Sequence, residues 1–145
     1  MRGGSATSSG MSLAELIVVL LILAVLLSLA YPSWQQFRSY QALRYGAAQL
    51  ASSLREAQER AKAERVPYRV RFTGGSGWYV VERDGGGFRH RAGLPEGVRV
   101  EEDVVVEFTG FGRPVADGYR VRVRNSAGSA EAVVSAEGGI SYEAP

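Results

Sequence analysis

The sequence predicts an α+β protein in which one long N-terminal helix leads into an antiparallel β-sheet head. Three observations predict it. Leu16 to Tyr31 is apolar and carries no charge. From Phe37 onward, apolar residues recur at three- and four-residue steps, which puts them on one face of a helix. After Pro67 the spacing changes to two, with glycine-rich turns between short runs, the pattern of strands joined as hairpins.

As a helix, Leu16 to Tyr31 rises about 24 Å, and with Met11 to Glu15 roughly 32 Å, close to the hydrocarbon thickness of a bilayer. Only Ser28 and the Tyr31 hydroxyl are polar in that run. Backbone groups in lipid must pair within the chain, so a helix is the simple solution. Tyr31 and Trp34 follow where aromatic side chains favour the headgroup layer. Arg2 is the only basic residue before the run, which favours a cytoplasmic N-terminus and a single pass. Glu15 stands at the head of the run, five places after Gly10. A charged residue at mid-bilayer costs about 2.5–3.5 kcal/mol on insertion scales, so the carboxylate asks for a reason. One reason is modest: an acid complements the positive end of its own helix, worth about 0.3–1 kcal/mol.

Two processing readings follow. A peptidase cuts after Gly10 and the apolar run stays as an anchor. Alternatively, signal peptidase cuts after Ser28-Leu29-Ala30, freeing a soluble secreted domain that starts near Tyr31. Glu15 and the single Arg of the leader weigh against the second.

Pro32 lies just past the apolar run, where it removes one helical hydrogen bond and favours a kink. The helix is expected to resume at once. Phe37, Tyr40, Leu43, Ala47, Leu50, Leu54, Ala57 and Ala61 form one apolar stripe. The opposite face pairs Arg55 with Glu59, Glu56 with Arg60 and Arg60 with Glu64 at four-residue spacing, a solvated surface. Val66-Pro67 ends the helix.

Tyr68 to Phe72, Trp78 to Arg83 and Phe88 to Arg91 read as strands, separated by Gly74–Gly77 and by Asp84–Gly87. Val98 to Val100 and Val104 to Phe108 follow, then a loop through Gly110, Gly112 and Pro114. Tyr119, Val121 and Val123 alternate with Arg120, Arg122 and Arg124; Asn125 to Ser129 turns, Ala130 to Ser135 returns, and Ile140 to Tyr142 closes the sheet. Such a sheet and an amphipathic helix cover each other's apolar faces.

Composition narrows the chemistry. The 145 residues fit one domain plus an anchor, and a net charge of +2 demands no nucleic-acid partner. There is no Cys, hence no disulfide framework or thiolate metal site. His90 is the only His, which argues against a catalytic triad or a His-based metal centre. Gly85-Gly86-Gly87 joins two strands and reads as a hairpin turn rather than a phosphate cradle. Glu101-Glu102-Asp103 could offer oxygen ligands to Ca²⁺, but a solvated loop fits three adjacent acids better. No enzyme activity and no cofactor are expected.

The N-terminal pattern resembles the type IV pilin and pseudopilin family. Its signature is a short polar leader ending in Gly, a new N-terminal residue, then Glu four residues on, opening a long apolar helix. Gly10, Met11 and Glu15 occupy those roles, and Pro32 is similar to a proline common in these helices. Met11 stands where Phe is usual. The absence of a cysteine loop, with Leu54-Arg55-Glu56-Ala57-Gln58, Phe111-Gly112-Arg113 and Val133-Val134-Ser135, is similar to the GspH/FimT-type minor pseudopilins.

The resemblance implies a type IV pilin-like fold. Residues 1–10 would be a cleaved leader, 11–31 a transmembrane and filament-core helix, 32–66 its amphipathic continuation and 67–145 a β-rich head. It implies a minor subunit of a type IV pilus or type II secretion pseudopilus. A prepilin peptidase would cut after Gly10 and methylate the amine of Met11. An inner-membrane assembly platform would add it to a filament of related subunits, with the head periplasmic or, in a pilus, at the cell surface. The Glu15 carboxylate would neutralise the Met11 amine of a neighbouring subunit; unpaired charge in low dielectric is costly, so this pairing would set register.

Some FimT-like competence pilins bind DNA, which gives a second expectation for the arginines. Arg120, Arg122 and Arg124 share one strand face, and Arg69 and Arg71 share another. If these strands are neighbours, the patch could hold a phosphate backbone. No Lys or Arg follows Arg124, and Glu131, Glu137 and Glu143 lie there instead, which favours a solvent-facing sheet surface with paired acids.

Overall fold

The structure is a computed structural model that describes Gly10 to Pro145. The expected leader falls outside the described residues apart from Gly10. The elements are helix α1 (Leu13–Glu64) and strands β1 (Tyr68–Phe72), β2 (Trp78–Arg83), β3 (Arg89–Gly93), β4 (Arg99–Val100), β5 (Val104–Phe108), β6 (Gly118–Asn125), β7 (Gly128–Ser135) and β8 (Ile140–Glu143). The fold is therefore α+β. The chain divides into two compact units, one ending at Gln35 and one beginning at Gln36, and α1 contributes to both.

In the first unit the helix presents apolar side chains on all sides. Every large hydrophobic residue among the described residues there is exposed, from Met11 through Leu16 to Leu29. The stretch is long and apolar enough to cross a membrane, and none of it is buried within the protein. Ser28 Oγ donates to the Val25 carbonyl at 2.7 Å, so its hydroxyl is satisfied inside the helix. Pro32 lies within α1, where it has no N–H to offer the Ser28 carbonyl.

In the second unit α1 is one-sided. Leu43, Ala47, Leu50, Leu54, Ala57 and Ala61 are fully buried, each Leu worth about 1.5–3 kcal/mol of apolar transfer. Small residues on the stripe let the backbone approach the sheets; a Cβ on Gly46 would already press Val98 Cγ1 at 3.2 Å. Phe37 departs from the expected stripe and is exposed, because the head's core begins only near Leu43. Of the expected ion pairs, Glu56–Arg60 forms at 3.0 Å. The other two are replaced by better-placed partners. Arg55 donates to the Ile140 carbonyl, Glu59 takes Lys62, and Glu64 takes the Tyr68 hydroxyl and Arg83. Beyond Glu64 the helix stops on Arg65, whose φ of 56° is left-handed.

The expected single sheet is two four-stranded antiparallel sheets, ordered β3-β2-β1-β5 and β4-β6-β7-β8. A reason lies after β5. Phe108 bridges Pro114, and the Val115 amide donates to the Glu107 carbonyl, so the loop folds back along the β5 edge. Pro114 has no N–H to continue a ladder, and β6 pairs instead with β4 and β7. Both sheets turn alternate residues inward: Tyr68, Val70 and Phe72 from β1, Val121 and Val123 from β6, Ala130, Ala132 and Val134 from β7. Strand positions differ modestly from expectation. β3 runs over Arg89–Gly93 rather than from Phe88, and the β6–β7 turn shrinks to Ser126-Ala127. Asn125 explains the latter: its Oδ1 accepts from the Ala127 amide at 2.8 Å while Nδ2 donates to the Ser39 carbonyl at 2.6 Å. Gln58, a buried polar side chain, donates to the carbonyls of Gly112 and Gly138, each at 2.8 Å, and so ties two loops to the helix.

Candidate functional site

Ser12 caps α1. Its Oγ accepts from the Glu15 amide at 3.2 Å, and its carbonyl accepts from the Leu16 amide at 3.1 Å. Ser12-Leu13-Ala14-Glu15 is thus the Ser-x-x-Glu spacing of a helix start, a signal that the sequence itself carries. In the full form of that motif the acid reaches back to the cap amide. Here the Glu15 carboxylate makes no hydrogen bond or ion pair among the described residues and is exposed. It is the only charged side chain between Met11 and Phe37. Met11 is exposed one turn away in sequence, and Tyr31 and Trp34 are exposed at the far end of the apolar run, each at 65%. The segment therefore offers one unpaired carboxylate at the head of an apolar surface. Such a surface has two stable environments, lipid or other helices.

The two arginine rows are not brought together. Arg69 and Arg71 lie on β1 and Arg120, Arg122 and Arg124 on β6, in different sheets, so the patch assumed from neighbouring strands does not form. Most of these arginines are engaged. Arg69 meets Glu107 at 2.8 Å and Asp84 at 3.1 Å, and Arg71 meets Glu82 at 2.9 Å. The hydrogen bond that Arg69 donates to Glu107 and the charge of Glu107, with that of Asp84, hold the Arg69 guanidinium more firmly protonated than usual. Arg120 and Arg122 share Glu131 at 3.8 and 3.3 Å. Arg124 has no acidic partner among the described residues; across the ladder it faces Arg99, a basic neighbour that the spacing along β6 alone could not reveal.

No family model, curated protein or solved structure matches the chain.

Among the described residues no three His, Asp or Glu side chains converge as a metal site. Asp103 instead accepts from the Gly74 amide at 2.7 Å, fixing the turn after β1. His90 is exposed on β3, and the neighbouring Arg91 lies 3.9 Å over the Trp78 ring. A cleft of about 220 Å³ between α1 and the β3 end is lined by Ser53, Tyr79, Phe88 and His90. Its Ser53 and Tyr79 hydroxyls bond each other at 2.5 Å, which joins helix to sheet.

One further feature is not announced by the sequence. Phe111, at the tip of the loop from Thr109 to Val115, is 73% exposed although its loop is tightly held. Arg65 stacks its guanidinium 5.4 Å from the Phe111 ring centroid. The Phe-Gly-Arg-Pro run marks a turn, but nothing in its spacing tells an outward from an inward aromatic.

Proposed function

We propose that the chain is a non-enzymatic filament subunit of the type IV pilin and pseudopilin kind, anchored through the first half of α1 before assembly. The observation that carries this reading is the Glu15 carboxylate, without a partner among the described residues at the head of an exposed apolar helix. Helix capping accounts for Ser12 and for the Glu15 backbone; for the Glu15 carboxylate the chain's own helix offers only the modest attraction of its N-terminus. In this reading a prepilin peptidase cleaves after Gly10, and the Met11 amine so released, N-methylated, meets Glu15 of a neighbouring subunit. An amine and a carboxylate that meet in low dielectric neutralise each other, and a misregistered subunit would leave both unpaired. Pro32 supplies a break in the helical ladder just past the apolar run. The partners are other pilins or pseudopilins, the peptidase and an inner-membrane platform, with the N-terminus cytoplasmic and the head on the far side.

Mass analysis of the N-terminus of the native protein tests this. A methylated Met11 supports the filament reading. A terminus at Tyr31 replaces it with a secreted domain, and an intact leader removes it.

A further inference from the structure

The loop after β5 is built with unusual care for a segment that ends in an exposed aromatic. Gly110 has no room for a side chain: a Cβ there would lie 2.7 Å from the Arg65 carbonyl carbon. Gly112 takes a φ of 76° against the Lys62 stem. Its carbonyl is held by Gln58, and its amide donates to the Thr109 carbonyl at 2.8 Å. Thr109 Oγ1 also accepts from the Phe111 and Arg113 amides. The framework presents Phe111 and Val115 to solvent, at 73% and 59% exposure, beside the exposed Arg65 and Arg113. Among the described residues neither guanidinium has an acidic partner.

The opposite end of β5 carries the reverse. Glu101, Glu102 and Asp103 precede the strand, and Val105, on it, is 43% exposed. Glu101 and Glu102 have no basic partner among the described residues. The loop tip with Phe111 and Arg113 and the three acids lie beyond opposite ends of β5, about 17 Å of extended chain, so the charges of one copy cannot join each other. A second copy can. Its acidic end would meet the basic aromatic end of the first, leaving one free patch of each kind for the next copy. Such a contact is heterologous and open, the kind that generates a series rather than a closed dimer.

We propose that the Phe111–Val115 platform, with Arg65 and Arg113, is the docking surface for the Glu101–Asp103 end of β5 in another copy of this chain. The proposal rests on the filament reading and deepens it. It makes the chain a repeating component of the filament rather than a single tip subunit.

The absence of Cys makes disulfide mapping direct. Full-length chains carrying Arg113→Cys and Glu102→Cys are produced together in membranes and oxidised, with Arg113→Cys and Glu143→Cys as the control pair. The first pair is expected to couple and the control pair not. Phe111→Ala or Arg113→Glu in otherwise native chains should reduce head-to-head association roughly tenfold, and Glu102→Arg should restore it in the Arg113→Glu background. If native chains assemble but the first pair couples no better than the control, this docking surface is wrong and the filament reading stands. If native chains stay monomeric in the assembling cell, both fall. If Phe111→Ala instead abolishes binding to phosphatidylserine–phosphatidylcholine vesicles and leaves coupling unchanged, the platform serves a lipid surface and the proposal is overturned.

Discussion

Between Leu16 and Tyr31, α1 exposes apolar side chains on every side, whereas between Leu43 and Ala61 it buries one stripe against two sheets and turns a mostly polar face to solvent. The backbone is helical in both. The second stretch finds its apolar partner in the same chain; the first has none among the described residues. The difference teaches where to look for function. A surface satisfied by its own fold reports on stability, and one left bare reports on an environment still to be supplied.

Removing residues before Gln36 is the strongest way to sharpen this contrast. The remaining chain keeps its whole core and should fold and stay in solution without detergent, while the full chain partitions into membranes. Circular dichroism and a membrane flotation assay read the two outcomes. A fragment that fails to fold would show that the two stretches are not energetically separate.

Single truncations probe the same contrast more finely. Leu50→Ala should cost the head about 2–5 kcal/mol in denaturant unfolding, by lost burial and a residual cavity. Leu21→Ala, exposed in the first stretch, should leave that value within about 0.5 kcal/mol. Equal effects would break the comparison.

The smallest effect concerns the seam between helix and sheet. Burial first, then its hydrogen bond to Glu64, raises the Tyr68 phenol pKa above the ordinary value. A raised folded pKa contributes stability that is present below the unfolded value, about 10, and lost as pH rises through the folded one. The head should therefore weaken in the alkaline range, and Tyr68→Phe should flatten that loss in thermal melts. An unchanged alkaline limb in Tyr68→Phe would assign the loss elsewhere.

Much of this was legible in the chain because periodicity reports burial directly. The charge-free run, the stripe from Leu43 to Ala61 and the alternation in β1 and β6 each carry their own face. What was not legible depends on contacts between distant residues. The split into two sheets turns on Pro114 meeting Phe108, and the separation of the arginine rows follows from that split. Glu64 leaves its helical neighbour for Tyr68 and Arg83, partners that no local spacing announces. Phe111 faces outward because Gly110 and Gly112 press its loop onto the end of α1. Ser12 was legible too: its capping spacing stands in the sequence beside the more conspicuous Glu15.

The central claim is that the Glu15 carboxylate serves a partner outside its own chain. Filament yield from cells carrying Glu15→Ala, set against Ser12→Ala and normalised to membrane-inserted subunit, tests it most directly. Losing the cap should cost only about 0.5–2 kcal/mol of local helix stability and leave assembly intact. Losing the carboxylate should leave insertion normal and abolish assembly. Normal filaments from Glu15→Ala would contradict the account.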